Sequence, residues 1–387
     1  MSIMSPTSGR VGAARVEELD AMRPVAQALV ISTHALIFFG ATAPSTVVQG
    51  LLILTRVSRE SFFFISAFAL TYTYGTRPFA LATFWRRRWS SILVPYLVWS
   101  VIYFVYTAAV AIPGFPYYRW SVGSLVGAAA LKHFAVLVLT GYYHLYFLVV
   151  LIQFFIVFPV LWWWLDRARR WHGFTAISSF LLQCAIDLAL RARWLPHFYT
   201  GKLETRVLVS YPLYLLTGMI VAFHYVEIKA WLIGHRVAIV TVTVLAAVAA
   251  LASTHVHSPT WLARYIAPNG DAFAAVALPY DVGAIAVLLL FGVASSSSFT
   301  PRWWRKTSRA LALDSFGVYL SQMIWIPLLI RVVARYHLAA REPWPLLLIS
   351  ALVTTYVLGV VFSEIVRRTP LAPYVIGRAR ERFFVRG

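Results

Sequence analysis

Apolar residues in this chain gather in long blocks separated by short polar segments. Blocks of about 18–25 residues match the length a helix needs to cross the ~30 Å hydrocarbon layer of a bilayer. Ten of them predict ten membrane-spanning helices, over 21–40, 59–76, 89–111, 144–165, 174–190, 206–226, 236–253, 273–293, 310–331 and 345–366. The stretch 122–140 is less apolar and holds Lys132 and His133, which predicts an interfacial or re-entrant helix, or an eleventh span if it crosses. The longest polar segments are of order 30 residues, too short for a water-soluble domain with its own core. The pattern therefore predicts an all-α polytopic membrane protein, with an N-terminal tail over 1–20, a transmembrane domain over 21–366 and a basic C-terminal tail over 367–387. There is no fixed-period repeat, no heptad run, and no low-complexity tract beyond Ser295–Ser298.

Composition supports the membrane reading. Of 387 residues, 60% are apolar and 12% charged, roughly half the charged fraction of soluble proteins. Mean hydropathy is +0.73, which argues against a soluble nucleic-acid binder despite the formal charge of +20. Disorder and a disulfide scaffold are excluded by the apolar content and by the presence of one cysteine, Cys184, which reads as a packed, inert thiol.

Charge also predicts orientation. The first 20 residues carry no apolar core of a cleaved signal peptide, so the first helix is expected to act as the insertion signal. With that tail in the cytoplasm, 21 of the 34 basic residues fall in cytoplasmic segments, 12 fall outside, and Arg23 lies within the first helix. Arg77, Arg86, Arg87, Arg88 and Arg302, Arg305, Lys306, Arg309 are among the 21. The positive-inside rule thus predicts both termini in the cytoplasm, although Arg191, Arg193, Lys202 and Arg206 crowd one external loop.

Ionisable residues at membrane depth cost roughly 2.5–3.5 kcal/mol each on insertion scales, so each asks for a reason. The first helix holds Arg23 and His34. Eleven positions at 1.5 Å put the imidazole about 16 Å deeper than the guanidinium, and three turns put both on nearly one face. Such a face suits a thioester donor entering from the cytoplasm, with Arg23 pairing a phosphate or carboxylate and His34 accepting a proton from an attacking hydroxyl. A snorkelling arginine and a hydrogen-bonded histidine are the plain alternative.

The segment ELDAMRPVAQALVISTHALIFF resembles the opening signature of the membrane acyltransferase 3 family, an Arg and a His separated by ten residues. SRESFFFISAFALTYTYG (58–75), FWRRRWSSILVPYLVWSVIY (84–103), YYHLYFLVVLIQFFIVFP (142–159) and LDSFGVYLSQMIW (313–325) are similar to its later helices, in order. The likeness runs from about 17 to 377 and is loose between 170 and 300. The second and third segments are most similar to Gram-positive members that resemble the intercellular adhesin modification protein. Two positions depart from the pattern: Ser91 stands where many relatives have a second Arg before Pro-Tyr, and Gln322 where many have His.

The resemblance implies an O-acyltransferase of the bacterial plasma membrane that moves an acetyl or other short acyl group from cytoplasmic acyl-CoA to a hydroxyl of an extracytoplasmic or lipid-linked carbohydrate of the cell envelope. Acyl-CoA, with acetyl-CoA first among the donors, is then a substrate, and no cofactor is permanently bound. Membrane lipids and the carbohydrate are the remaining partners. The catalytic candidates are His34 and Arg23, and Arg23 with Arg86, Arg87 and Arg88 would hold the donor's phosphates, although three basic residues there serve equally as a topological anchor. His144, Tyr143, Arg56, Arg59 and Glu60, at the external mouth, are candidates for acceptor binding; an interfacial belt and an internal ion pair are the plain alternatives. Asp281, Glu364 and Asp187 are expected to pair with arginines of the bundle, and Trp162–Trp164, Trp303 and Trp304 to sit at membrane interfaces. His255 and His257 form an H-x-H without the further ligands a metal needs. No nucleophile elbow or phosphate-binding loop is present, which argues against a soluble-type hydrolase or an ATP-driven pump. A transporter or flippase for a charged glycan precursor, with Arg23, Asp281 and Glu364 along its path, is the rival; free thiol released from acyl-CoA discriminates the two. A relative that has lost catalysis is a third reading, raised by Gln322.

Overall fold

The computed structural model describes residues 16–40, 44–75, 79–109, 126–196, 203–253 and 273–380, and these form helices joined by turns, without strands. The helices are α1 (Glu17–Phe39), α2 (Ser45–Tyr74), α3 (Leu81–Arg88), α4 (Val94–Ala109), α5 (Ala128–Thr140), α6 (Tyr146–Arg167), α7 (His172–Arg191), α8 (Pro212–Phe223), α9 (Tyr225–Gly234), α10 (Arg236–Ala252), α11 (Leu278–Ser295), α12 (Arg302–Arg335), α13 (Trp344–Arg367) and α14 (Ala372–Val375). A π-helical turn over Trp89–Leu93 joins α3 to α4.

Helix α1 is the central element, packed against α2, α11, α12 and α13. Its first turn carries Glu17, Glu18 and Asp20, which suit the positive end of the helix dipole. Met22, Ala26, Ile31 and Ala35 are completely buried along its length. The alanines let neighbouring backbones approach closely, the packing mode that replaces hydrophobic driving force between helices in lipid. Around α1, α2 packs on α8, α8 on α7, α12 on α13 and α10 on α11.

Each of the ten predicted segments carries a helix, and several run differently from the prediction. Seven helical stretches are long and apolar enough to cross a membrane, and α8 with α9 makes an eighth if that pair is one bent span. Ten crossings therefore also require α2 and α10. The 30 residues of α2 begin well before position 59, because Arg56, Arg59 and Glu60 are paired inside the bundle and do not end the helix. The segment predicted over 206–226 starts its helix only at Pro212 and turns by 99° between α8 and α9. His224 sits at that corner, with its Nε2 2.8 Å from His172 Nδ1. Arg86–Arg88 lie within α3, and Arg302–Arg309 within the first turns of α12. The 13 residues of α5 rise only about 20 Å, short of a bilayer core.

The segments predicted to be cytoplasmic meet at one end of the bundle. There Glu18 of α1 bonds Lys229 of α9 at 2.6 Å, and Glu17 and Asp20 share a cavity wall with Arg302, Arg305, Lys306 and Arg309.

Candidate functional site

Two cavities lie back to back along α1. The first, of about 320 Å³, is lined by His34, Arg56, Arg59, Tyr143, His144 and Tyr146 among its polar residues, with Val30, Ile37, Leu52, Ile53, Phe62 and Phe147 as its apolar wall. Thr33 fixes α1 against α2 at this level: its hydroxyl donates to Leu29 O at 2.9 Å and to Thr55 O at 3.3 Å. The next residue, His34, faces the cavity with its Nδ1 buried and without a hydrogen-bond partner among the described residues.

The chain segment before α6 supplies the opposing wall. Gly141 has φ +77 and touches the backbone of Tyr146 so closely that a Cβ would lie 2.5 Å from its nitrogen, which requires glycine. Tyr143 follows at φ +26, a conformation that costs a non-glycine residue on the order of 1–2 kcal/mol. Held this way, the Tyr143 ring lies 5.2 Å from the His34 ring, and the His144 ring 6.3 Å from it. His144 is buried between Tyr103 at 5.3 Å and Tyr319 at 5.1 Å, and the Tyr319 hydroxyl donates to the His144 carbonyl at 2.5 Å.

Behind Arg56 and Arg59 lies a buried polar cluster. Arg56 Nη2 donates to Asp281 Oδ2 at 3.1 Å, and the Tyr214 hydroxyl donates to the same oxygen at 3.1 Å. Arg59 pairs with Glu60 and stacks over Tyr211 and Phe273, each 5.1 Å from the ring centroid. Gln183 Nε2 bonds Asp187 Oδ1 at 2.9 Å. Buried charges persist only when paired and hydrogen-bonded, and α2, α7, α8 and α11 meet here to provide that. Among the described residues no carboxylate lines the His34 cavity itself, and the two guanidiniums are the charged groups of its lining. Among the described residues no group of three ligands suitable for a metal is present.

The second cavity, of about 420 Å³, is lined by Arg23, Arg88, Ser91 and Arg378, with Ser66, Thr73 and Ser315 as further polar groups. It shares Phe62, Phe147 and Tyr319 with the first. Phe147 lies 6.0 Å from Phe62 and 5.7 Å from Tyr319, so three aromatic side chains form the partition. Arg23 lies 3.7 Å from Asp20, one turn earlier. Arg378 arrives from the C-terminal segment: Trp99 Nε1 donates to Val375 O at 2.9 Å, and Gly377, at φ +63, packs against the Ser91 carbonyl. The third guanidinium therefore stands beside Ser91, where the resemblance leads one to look for an arginine on α4's approach. Sequence reasoning counted Arg378 only as tail charge; a Gly-Arg pair just after a Pro-Tyr turn was its one signal.

The site candidates thus divide cleanly. His34, Arg56, Arg59, Tyr143 and His144 share the first cavity, with Glu60 behind Arg59; Arg23 and Arg88 share the second. Arg86 and Arg87 are exposed on α3 and line neither. Asp281 and Glu364 pair with arginines as expected, Glu364 with Arg367 and Arg368. Gln322 is completely buried on α12, with no hydrogen-bond partner for its amide among the described residues. Arg77, His255 and His257 lie outside the described residues.

An arginine near one end of α1, a histidine three turns further along it, and an aromatic partition between their cavities place a guanidinium and an imidazole in two adjoining cavities. No curated protein and no solved structure gives a significant match. A family model described as an acyltransferase domain (Acyl_transf_3) matches residues 16–364, which hold every element of both cavities except the Ile376–Arg378 wall. The chain therefore belongs to the membrane acyltransferase 3 family, and it is a multi-pass membrane acyltransferase.

Proposed function

We propose that the protein is an acyl-CoA-dependent O-acyltransferase of the bacterial plasma membrane, with the Arg23 cavity open to the cytoplasm as donor site and the His34 cavity as acceptor site. The shared partition of Phe62, Phe147 and Tyr319 between the two is the observation that carries this reading. The donor's phosphates pair with Arg23, Arg88 and Arg378, whose planar guanidiniums suit phosphate oxygens. Its thioester threads toward the partition, beyond which lies His34. A carbohydrate hydroxyl, free or lipid-linked, enters the His34 cavity, where Arg56, Arg59, Tyr143 and His144 orient it.

Neutral His34 removes the hydroxyl proton as the oxygen attacks the thioester carbonyl carbon. The new C–O bond forms, the C–S bond breaks, and the imidazolium returns the proton to the leaving thiolate. A water-poor cavity favours this outcome over hydrolysis of the thioester. Acetyl is the first acyl group to test, because the partition leaves a narrow route. Mass spectrometry of envelope glycans and glycolipids from cells with and without the protein tests the reading. A carbohydrate species heavier by one acyl group only when the protein is present is the predicted result; identical spectra, with the protein shown to be in the membrane, would contradict it.

A further inference from the structure

A third cavity, of about 260 Å³, opens beside the first turn of α1 and is unused by the chemistry above. Arg302, Arg305, Lys306 and Arg309 of α12 line it, and none of the four forms an ion pair among the described residues. Two serines at its wall, Ser295 and Ser308, are 8% and 7% exposed, and their hydroxyls make no hydrogen bond among the described residues. Glu17 and Asp20 complete the lining, so the cavity keeps an excess of two positive charges, and Asp20 is itself engaged with Arg23. Four cations and the unpartnered hydroxyls of two buried serines form a pocket for a group with two negative charges and several acceptor oxygens. A phosphate monoester has that character, whereas the phosphodiester of a common lipid carries one charge.

The cavity adjoins the Arg23 cavity in two ways. Asp20 lines one and Arg23 the other, 3.7 Å apart. On α12, Ser308 and Arg309 line this cavity, while Ala312 and Ser315 line the Arg23 cavity, about one helical turn or 5 Å further on. A ligand with a monoester and a second phosphate group a few ångströms apart fits both at once. We propose that the α12 cavity binds the 3′-phosphate on the adenosine of the acyl-CoA donor, leaving the pyrophosphate to Arg23, Arg88 and Arg378. This rests on the donor reading given above and assigns the donor's nucleotide end a place distinct from the reacting end.

Binding of coenzyme A and of 3′-dephospho-coenzyme A to the full chain in nanodiscs of neutral lipid tests the assignment without an acceptor. Wild type is expected to bind coenzyme A about tenfold tighter, the value of one or two charge-assisted hydrogen bonds. The double variant Arg305→Gln/Arg309→Gln is expected to bind both forms equally, at the wild-type affinity for the dephospho form. A preference that survives in the variant overturns the proposal while leaving the donor reading intact. Failure of wild type to bind either form overturns both. Nanodiscs containing phosphatidic acid separate the remaining source of the same chemistry: if the variant loses only stabilisation by that lipid and keeps its preference between the two coenzymes, the cavity is a lipid site and the proposal fails.

Discussion

Removing the Asp281 carboxylate would leave the Arg56 guanidinium charged in a cluster where its side chain is 11% exposed. Breaking one partner of such a pair costs on the order of 3–5 kcal/mol, far more than the intact pair contributes over an apolar replacement. Asp281→Ala is therefore expected to lower the thermal midpoint in detergent sharply, and Arg56→Met/Asp281→Leu to recover most of the loss. If the single variant unfolds at the wild-type temperature, the cluster is not the structural brace of the His34 cavity. Tyr143 acts on a subtler scale, because its ring and strained backbone hold one side of His34. Tyr143→Phe keeps the ring and is expected to stay within about threefold of wild type, whereas Tyr143→Ala is expected to lower kcat about tenfold or more through a misplaced base. Steady-state kinetics distinguish the two, and an equal effect of both would move the role to the hydroxyl. Such local features were partly legible. The Arg23–His34 spacing is a property of one helix and can be counted in the sequence. The meeting of Arg56 with Asp281, 225 positions apart, depends on how α2 and α11 pack and leaves no local trace.

At the scale of elements, α12 links the whole device. Successive turns of this one helix supply Arg309 to the α12 cavity, Ala312 and Ser315 to the Arg23 cavity, and Tyr319 to the partition. Helix α2 and the start of α6 contribute Phe62 and Phe147 to the same partition. Truncating Phe147 should join the two cavities and admit water to the thioester. Phe147→Ala is expected to raise acetyl-CoA hydrolysis without acceptor several-fold while lowering transfer. Thiol release in the absence of acceptor reads this directly, and an unchanged hydrolysis rate would mean that the partition does not separate water from donor. The sequence pattern located these helices and misjudged their ends for one reason. Apolarity marks where a helix contacts lipid or core, but α2 continues through a charged turn whose Arg56, Arg59 and Glu60 are paired within the bundle, and α12 begins with a charged segment that lines a cavity. Arg86, Arg87 and Arg88 illustrate the same limit: three adjacent arginines look equivalent in sequence, and the helical face of α3 turns only Arg88 into the cavity.

For the whole molecule, the segments with the excess of basic residues converge at the end where Arg23, Arg88 and Arg378 line one cavity, while His34 looks into the other. Charge bias along the chain was thus a guide to which ends of the helices gather, and the proposed donor site draws on residues of that same end. It could not separate charges that line a cavity from the rest, and Arg378 is brought into the Arg23 cavity only by the C-terminal segment packing over Ser91. Its proposed role is testable: Arg378→Gln is expected to raise the KM for acetyl-CoA about tenfold with little change in kcat, since phosphates held there would not change charge during transfer. The central claim is that acyl transfer passes from the Arg23 cavity to a base at His34. Free thiol released when membranes carrying the protein and its native acceptors receive acetyl-CoA measures this most directly. Wild type is predicted to release thiol, and His34→Ala to lose that release by at least about a hundredfold while binding coenzyme A and unfolding at the wild-type temperature. Wild-type release by His34→Ala would contradict it.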